Sequence, residues 1–288
     1  MPFIEYHESL RRLREQRSMG RPIIGAGAGT GISAKFAERG GVDIIIIYNS
    51  GRYRMAGRGS LAGLMPYGDA NAIVMEMAGE VLPIIADTPV LAGVCGTDPF
   101  RIMKVLLKQL KEAGFDGVQN FPTVGLIDGT FRQGLEDTGM GFQLEVDMIC
   151  LAHDLQMLTC PYVFDEEQAV KMTEAGADLL VTHMHATVAG SIGVDRSTAI
   201  SLEESVKRIQ AMHDAAVAVN PDILVLCHGG PIAEPEDVRY VFEHTRGIAG
   251  FFGASSIERL PTEGAIEEQA RAFKELRLST TPTVPPST

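Results

Sequence analysis

The chain has 288 residues, 45% hydrophobic and 22% charged, with a net charge of 25 − 37 = −12. That length suits one large α/β domain or two small ones, and the composition suits a globular protein in water. The acidic balance argues against a nucleic-acid binder and against adhesion to acidic membranes, yet it is compatible with a local basic patch for a small anion.

Residues 6–14, with Leu10 and Leu13 on one side, predict an extra N-terminal helix covering the bottom of the main domain. Eight apolar, β-rich runs come next, at 22–28, 43–49, 89–95, 116–121, 157–163, 178–185, 223–228 and 247–253. Helical patterns separate them at 32–39, 72–84, 100–113, 142–155, 166–175, 202–219 and 235–244, and a last one spans 266–276. Asp165-Glu-Glu-Gln and Glu234-Pro-Glu-Asp read as acidic helix starts, and Gly114 and Gly176 stand where helix C-caps are expected. Eight strand–helix alternations predict a (β/α)8 TIM barrel as a single domain over 1–278, with an open doubly wound sheet as the alternative. The runs are nearly continuous in apolar residues, as parallel strands covered on both faces should be. The stretch 279–288, with three prolines and no apolar cluster, predicts a flexible tail.

No apolar run approaches the ~20 residues of a membrane span, and the opening residues lack the apolar core of a signal peptide. Cys95, Cys150, Cys160 and Cys227 are dispersed with no Cys-x-x-Cys pair, so a reduced, cytoplasmic setting is expected, with Cys95, Cys160 and Cys227 filling the barrel interior.

Three connections after strands are long, at 50–70, 121–141 and 186–200, while those leading back into strands are short. All three lie at the C-terminal ends of the strands, where barrel enzymes build their sites. Gly25, Gly27, Gly29 and Gly31 fail the dinucleotide fingerprint, because Thr30 or Ile32 falls where its last glycine belongs. No acidic residue closes the second run to hold a ribose. The glycines serve either close helix packing or ligand approach.

Asn49, Ser50, Gly51 and Arg52 follow the second run and form a candidate anion-binding turn. Asp98, after the third run, is a candidate ligand for a hard divalent cation, Mg or Mn. Its alternative role, or that of Thr97, is an N-cap ahead of Pro99. Gln119 and Asn120 close the fourth run as polar substrate-binding candidates. His183 and His185 fall on one face by strand alternation, and His228 ends the seventh run, giving three candidate acid/base groups. Gly229 and Gly230, with Ser255 and Ser256 after the eighth run, stand where barrels often hold a phosphate. An FMN-dependent oxidoreductase is therefore an alternative, and a non-catalytic ligand-sensing barrel is a third reading.

Gly31-Ile-Ser-Ala-Lys35, Glu38-Arg-Gly-Gly41 and Asn49-Ser-Gly51 together resemble the opening of the phosphoenolpyruvate mutase and isocitrate lyase superfamily. With Asn120-Phe-Pro-Thr-Val-Gly-Leu-Ile-Asp-Gly and Gly253-Ala-Ser-Ser-Ile-Glu-Arg-Leu-Pro, the whole chain resembles the phosphoenolpyruvate hydrolase-like family of barrel enzymes. The resemblance implies a hydrolase or lyase acting on a small anionic 2-oxo or enol acid through an enolate. It implies that Ser50 and Gly51 hold the substrate's carboxylate or phospho group, and that the protein is a homo-oligomer. The superfamily's magnesium depends on acidic residues after strands three and four. Here Asp98 is the only such residue after the third run, and Gln119-Asn120 ends the fourth.

Overall fold

A computed structural model describes residues 4–278. Helix α1 (Tyr6–Ser18) leads into β1 (Ile23–Ala28), α2 (Gly31–Arg39), β2 (Ile44–Ile47) and the short α3 (Asn49–Met55). Then come α4 (Ala70–Val81), β3 (Val90–Gly93), α5 (Met103–Ala113), β4 (Gly117–Gln119), α6 (Gly129–Asp137) and α7 (Gln143–Asp154). The fifth apolar run forms two segments, β5 (Leu158–Thr159) and β6 (Tyr162–Val163), followed by α8 (Glu166–Glu174). The chain continues through β7 (Leu179–His183), α9 (Leu202–Val219), β8 (Leu224–His228), α10 (Pro235–His244), β9 (Gly250–Gly253) and α11 (Arg259–Lys274).

Every strand pairing is parallel, and the hydrogen-bonded order runs β5-β4-β3-β2-β1-β9-β8-β7-β6. The two ends of that order are halves of one run, joined by Cys160 and Pro161. Cys160 donates its N–H to the Val118 carbonyl at 3.0 Å on one side, and the Pro161 carbonyl accepts from Val181 at 2.9 Å on the other. The sheet therefore closes into a (β/α)8 barrel. Ile44–Ile47 is buried at every residue, as a strand covered on both faces must be. Gly114 ends α5 in the left-handed conformation at φ +105°, and the Asp165 carboxylate caps α8 by accepting the Gln168 N–H at 2.7 Å.

Helix α1 covers the N-terminal end of the barrel, with Leu10 and Leu13 buried beneath it. Aspartates at the starts of three strands knit this end together. Asp43 accepts the Ile24 N–H, Asp116 those of Val90 and Ile4, and Asp178 the Thr159 N–H and the Tyr6 hydroxyl.

Two of the long connections contain helices that the sequence pattern does not announce, α3 and α6. The proposed N-cap at Thr97 or Asp98 is also corrected. Helix α5 starts only at Met103, and Asp98 instead accepts the Phe100 N–H at 2.9 Å within a turn. Among the described residues no helix is long and apolar enough to cross a membrane. The tail 279–288 lies outside the described residues.

Candidate active site

The barrel mouth holds an inner chamber of about 40 Å³ lined by aromatic, imidazole and hydroxyl groups. Tyr48, just past β2, reaches across the interior because β1 offers glycine there. A Cβ on Gly27 would stand 2.6 Å from the Tyr48 hydroxyl. Arg54, on α3, places its guanidinium carbon 5.7 Å from the centre of the Tyr48 ring. Arg54 is buried and pairs with buried Glu258 through Nε at 2.8 Å and Nη2 at 2.5 Å; Glu258 also accepts the Gly29 N–H. The pair leaves the chamber wall electrically neutral.

His183 and His228 end adjacent strands and are partners in register. Their ring centroids lie 4.6 Å apart, and Tyr162 packs against both, at 4.7 and 5.4 Å. Burial holds His183 well below the usual imidazole range and lowers His228 to about 4. Both rings are therefore neutral near pH 7. His228 Nδ1 lies 2.7 Å from the Phe252 carbonyl, an acceptor only, so this nitrogen carries the proton and Nε2 keeps a free lone pair. His183 Nδ1 is buried without a protein partner. Burial keeps the Tyr162 hydroxyl protonated far above neutrality.

A second, outer cavity of about 680 Å³ opens beside the chamber, lined in part by Asn49, Cys95, Asp98, Arg101 and Pro122. The 3-10 turn Ser60–Leu64 stands between the two. A Cβ on Gly63 would lie 2.8 Å from Ser50 Cβ and 3.0 Å from the Phe121 ring, so a glycine is needed at this wall. Ser50 Oγ donates to the Ser60 carbonyl at 2.7 Å, and Asn49 Nδ2 donates to the Gly63 carbonyl at 2.9 Å.

The structure thus brings His183, His228, Ser50 and Ser255 to the inner chamber, and Asn49 and Asp98 to the outer cavity. It separates other predicted residues from both. Strand β7 ends at His183, and His185 has a left-handed φ of +66°, so alternation stops and His185 is exposed. Arg52 points outward to Glu76 at 3.3 Å; the buried arginine of this helix is Arg54. Gln119 donates to the Cys160 carbonyl, while Asn120 accepts the Tyr162 N–H and donates to Glu145, so both stitch strand four to the broken strand five. Gly229 and Gly230 have positive φ, and side chains there would strike the His185 and Met184 carbonyls. Ser256 lines an apolar groove elsewhere on the molecule. The loops after β8 and β9 therefore do not converge on a phosphate cup, and the geometry gives FMN no support.

Sequence reasoning passed over Tyr48, Tyr162, Glu258 and Glu145. Glu145 is fully buried and accepts from Asn120 Nδ2, Thr123 Oγ1 and the Val124 N–H at 2.6–2.8 Å, bracing the loop after β4. Burial outweighs those bonds and raises its carboxyl to about 7. Its signal was legible: 145, 149 and 152 lie on one stripe of α7, in line with Phe142 at its N-cap, so Glu145 is an acid on an apolar face.

At the outer rim, Asp98 Oδ2 accepts from Asn71 Nδ2 at 2.9 Å and from Arg101 Nε at 3.0 Å. No group of three His, Cys, Asp or Glu side chains comes together among the described residues. Asp98 Oδ1 accepts the Phe100 N–H, so both carboxylate oxygens are engaged, and a divalent cation would bind here only by displacing the Arg101 guanidinium.

A family model described as phosphoenolpyruvate hydrolase-like matches residues 8–276. The chain belongs to this family. The ToMV susceptible protein tm-1(GCR26) of Solanum lycopersicum is 62% identical over 269 residues, 93% of this chain and 35% of that protein. A putative transcriptional regulatory protein, y4pA, of Sinorhizobium fredii is 33% identical over 261 residues, 89% of this chain and 42% of its own. The chain thus spans only about a third to two-fifths of the length of these curated relatives. Among solved structures, oxaloacetate acetylhydrolase superposes with TM-score 0.62 at 16% identity, covering 98% of this chain and 91% of that one. Phosphonopyruvate hydrolase in complex with oxalate and Mg²⁺ gives 0.58 at 14%, covering 94% and 88%. At such identities the likeness establishes a shared fold.

Proposed function

We propose that this member of the phosphoenolpyruvate hydrolase-like family is a hydrolase or lyase that acts on a small 2-oxo or enol acid through an enolate. The observation that carries the reading is the neutral His183–His228 pair, packed on Tyr162 at the barrel mouth. His228 Nε2, with its lone pair free, takes or returns the proton at the carbon beside the substrate carbonyl. The protonated Tyr162 hydroxyl donates toward the developing enolate oxygen. Asn49 and Ser50 hold the substrate carboxylate beside Arg101, which is itself paired with Asp98 and Asp69, while the Gly51 N–H is given to the Tyr48 carbonyl. A Mg or Mn ion at Asp98 would have to take the place of Arg101, and would then contribute positive charge for the enolate oxygen.

Enolisation is tested by NMR, following exchange of C3 protons of pyruvate and oxaloacetate into deuterated water, alongside turnover of phosphoenolpyruvate and phosphonopyruvate with Mg²⁺ or Mn²⁺. Exchange that depends on His228 supports the reading; no exchange and no turnover across this panel ends it. Binding of oxalate with no turnover favours the ligand-sensing barrel instead.

We also propose a homo-oligomer. Helix α11 buries only Arg259, while Ile266 and Phe273 are each 65% exposed. An uncovered groove of about 380 Å³, lined by Ile24, Val238, Phe242, Phe251 and Ile257, lies on the barrel wall where the helix after the eighth strand would rest. A helix without its groove and a groove without its helix suit reciprocal exchange between two copies.

A further inference from the structure

The inner chamber is too small for the ligand it would serve. About 40 Å³ admits roughly three waters, at about 10–15 Å³ of such space for each. Pyruvate has six heavy atoms and does not fit. A ligand that meets His183 and His228 must therefore displace part of the wall, and the wall that divides the chamber from the outer cavity is the turn Ser60–Leu64.

That turn is held by the groups assigned above to the ligand. Ser50 Oγ and Asn49 Nδ2, both on buried side chains, are the two donors, and the acceptors are the Ser60 and Gly63 carbonyl oxygens. A third tie is the Ser60 Oγ to Ser255 Oγ contact at 3.5 Å. A carboxylate offers the same kind of acceptor as a carbonyl, with more charge, so it competes for the same donors. The segment is bounded by Gly57 at φ +75° and Gly68 at φ +158°, conformations at which backbone rotation is freest for glycine.

We propose that residues 57–68 are an autoinhibitory gate: the Ser60 and Gly63 carbonyls occupy the acceptor positions of a small carboxylate ligand, which opens the gate by displacing them from Ser50 and Asn49. The inference rests on the reading that Asn49 and Ser50 hold the substrate anion. Binding and opening are then one equilibrium, and loosening the gate tightens binding by the fraction of molecules it opens.

The test uses oxalate as the probe, with calorimetry for binding and hydrogen–deuterium exchange for the amides of 57–68. In the unaltered protein, oxalate is expected to speed exchange in 57–68. Gly63→Ala, whose new Cβ presses on Ser50 and Phe121, is expected to speed exchange without oxalate and to tighten oxalate binding by about tenfold, the gain when a gate closed nine times in ten is released. Ser60→Ala, which removes only the tie to Ser255, shifts both readouts the same way by a smaller factor and serves if Gly63→Ala does not fold. Oxalate that binds while exchange in 57–68 stays constant or slows overturns the gate and leaves the proposed function standing. Oxalate that binds neither the unaltered protein nor the variants overturns both.

Discussion

His183 and His228 occupy the same level of neighbouring parallel strands and meet edge to face, with ring centroids 4.6 Å apart. Two buried imidazoles so close cannot both be protonated, and burial keeps each neutral at physiological pH. The rate of enolisation should therefore show no histidine limb near pH 6.5 and should begin to fall only toward pH 4, where His228 titrates. His228→Gln should lower the rate by roughly 10²–10⁴-fold, the usual range for a lost general base, as read from C3 proton exchange.

The same burial couples stability to pH. A histidine with its folded value lowered from 6.5 to about 4 contributes fully above pH 6.5, and its contribution falls as pH drops through that window. The loss for His228 is on the order of 3 kcal/mol by pH 4. Glu145 acts oppositely: raised from 4.5 to about 7, it favours the folded state more as pH falls from 7 toward 4.5. Thermal melts between pH 4.5 and 7.5 should show a shallower acid loss for His228→Gln than for the unaltered protein, and a steeper one for Glu145→Gln.

Arg54 and Glu258 form an ion pair whose side chains are each 1% exposed. Removing one partner strands a charge in the barrel, so Arg54→Met or Glu258→Gln should each cost about 3–5 kcal/mol in urea unfolding. Removing both should recover much of that loss, because two matched apolar or neutral groups leave no buried charge.

Phe273 and Ile266 face water in the single chain, so their substitution should change its folding stability by no more than about 0.5 kcal/mol. In the proposed oligomer they are buried. Phe273→Glu with Ile266→Asp should therefore reduce the mass seen by light scattering while leaving the circular dichroism spectrum intact.

The barrel was legible because its signal is repeated: runs such as 43–49 and 223–228 are apolar throughout, and few other folds use eight of them in series. Helix α3 was not, since Asn-Ser-Gly opens it with poor helix formers and its seven residues carry no apolar stripe. Sequence shows that Arg52 and Arg54 follow a strand, not which side of a short helix each takes. Two residues apart on a helix they face nearly opposite directions, and only Arg54 turns inward. Glu258 lies 204 residues from Arg54, and no local pattern joins them. The alternation argument paired His183 with His185 by extending a strand past its end.

The broken fifth strand has a mechanical consequence. A barrel is a hoop, and this hoop is thinnest where β5 and β6 each contribute two residues on either side of Cys160-Pro161. Residues 4 and 6 span that weak link from below: the Ile4 N–H reaches Asp116 at the foot of β4, and the Tyr6 hydroxyl reaches Asp178 at the foot of β7. The residues that enter and open α1 are thus a clasp fastened across the seam. Strain on the barrel should part it first between β4 and β7, directly below the stitches that Gln119 and Asn120 make beside the histidine chamber.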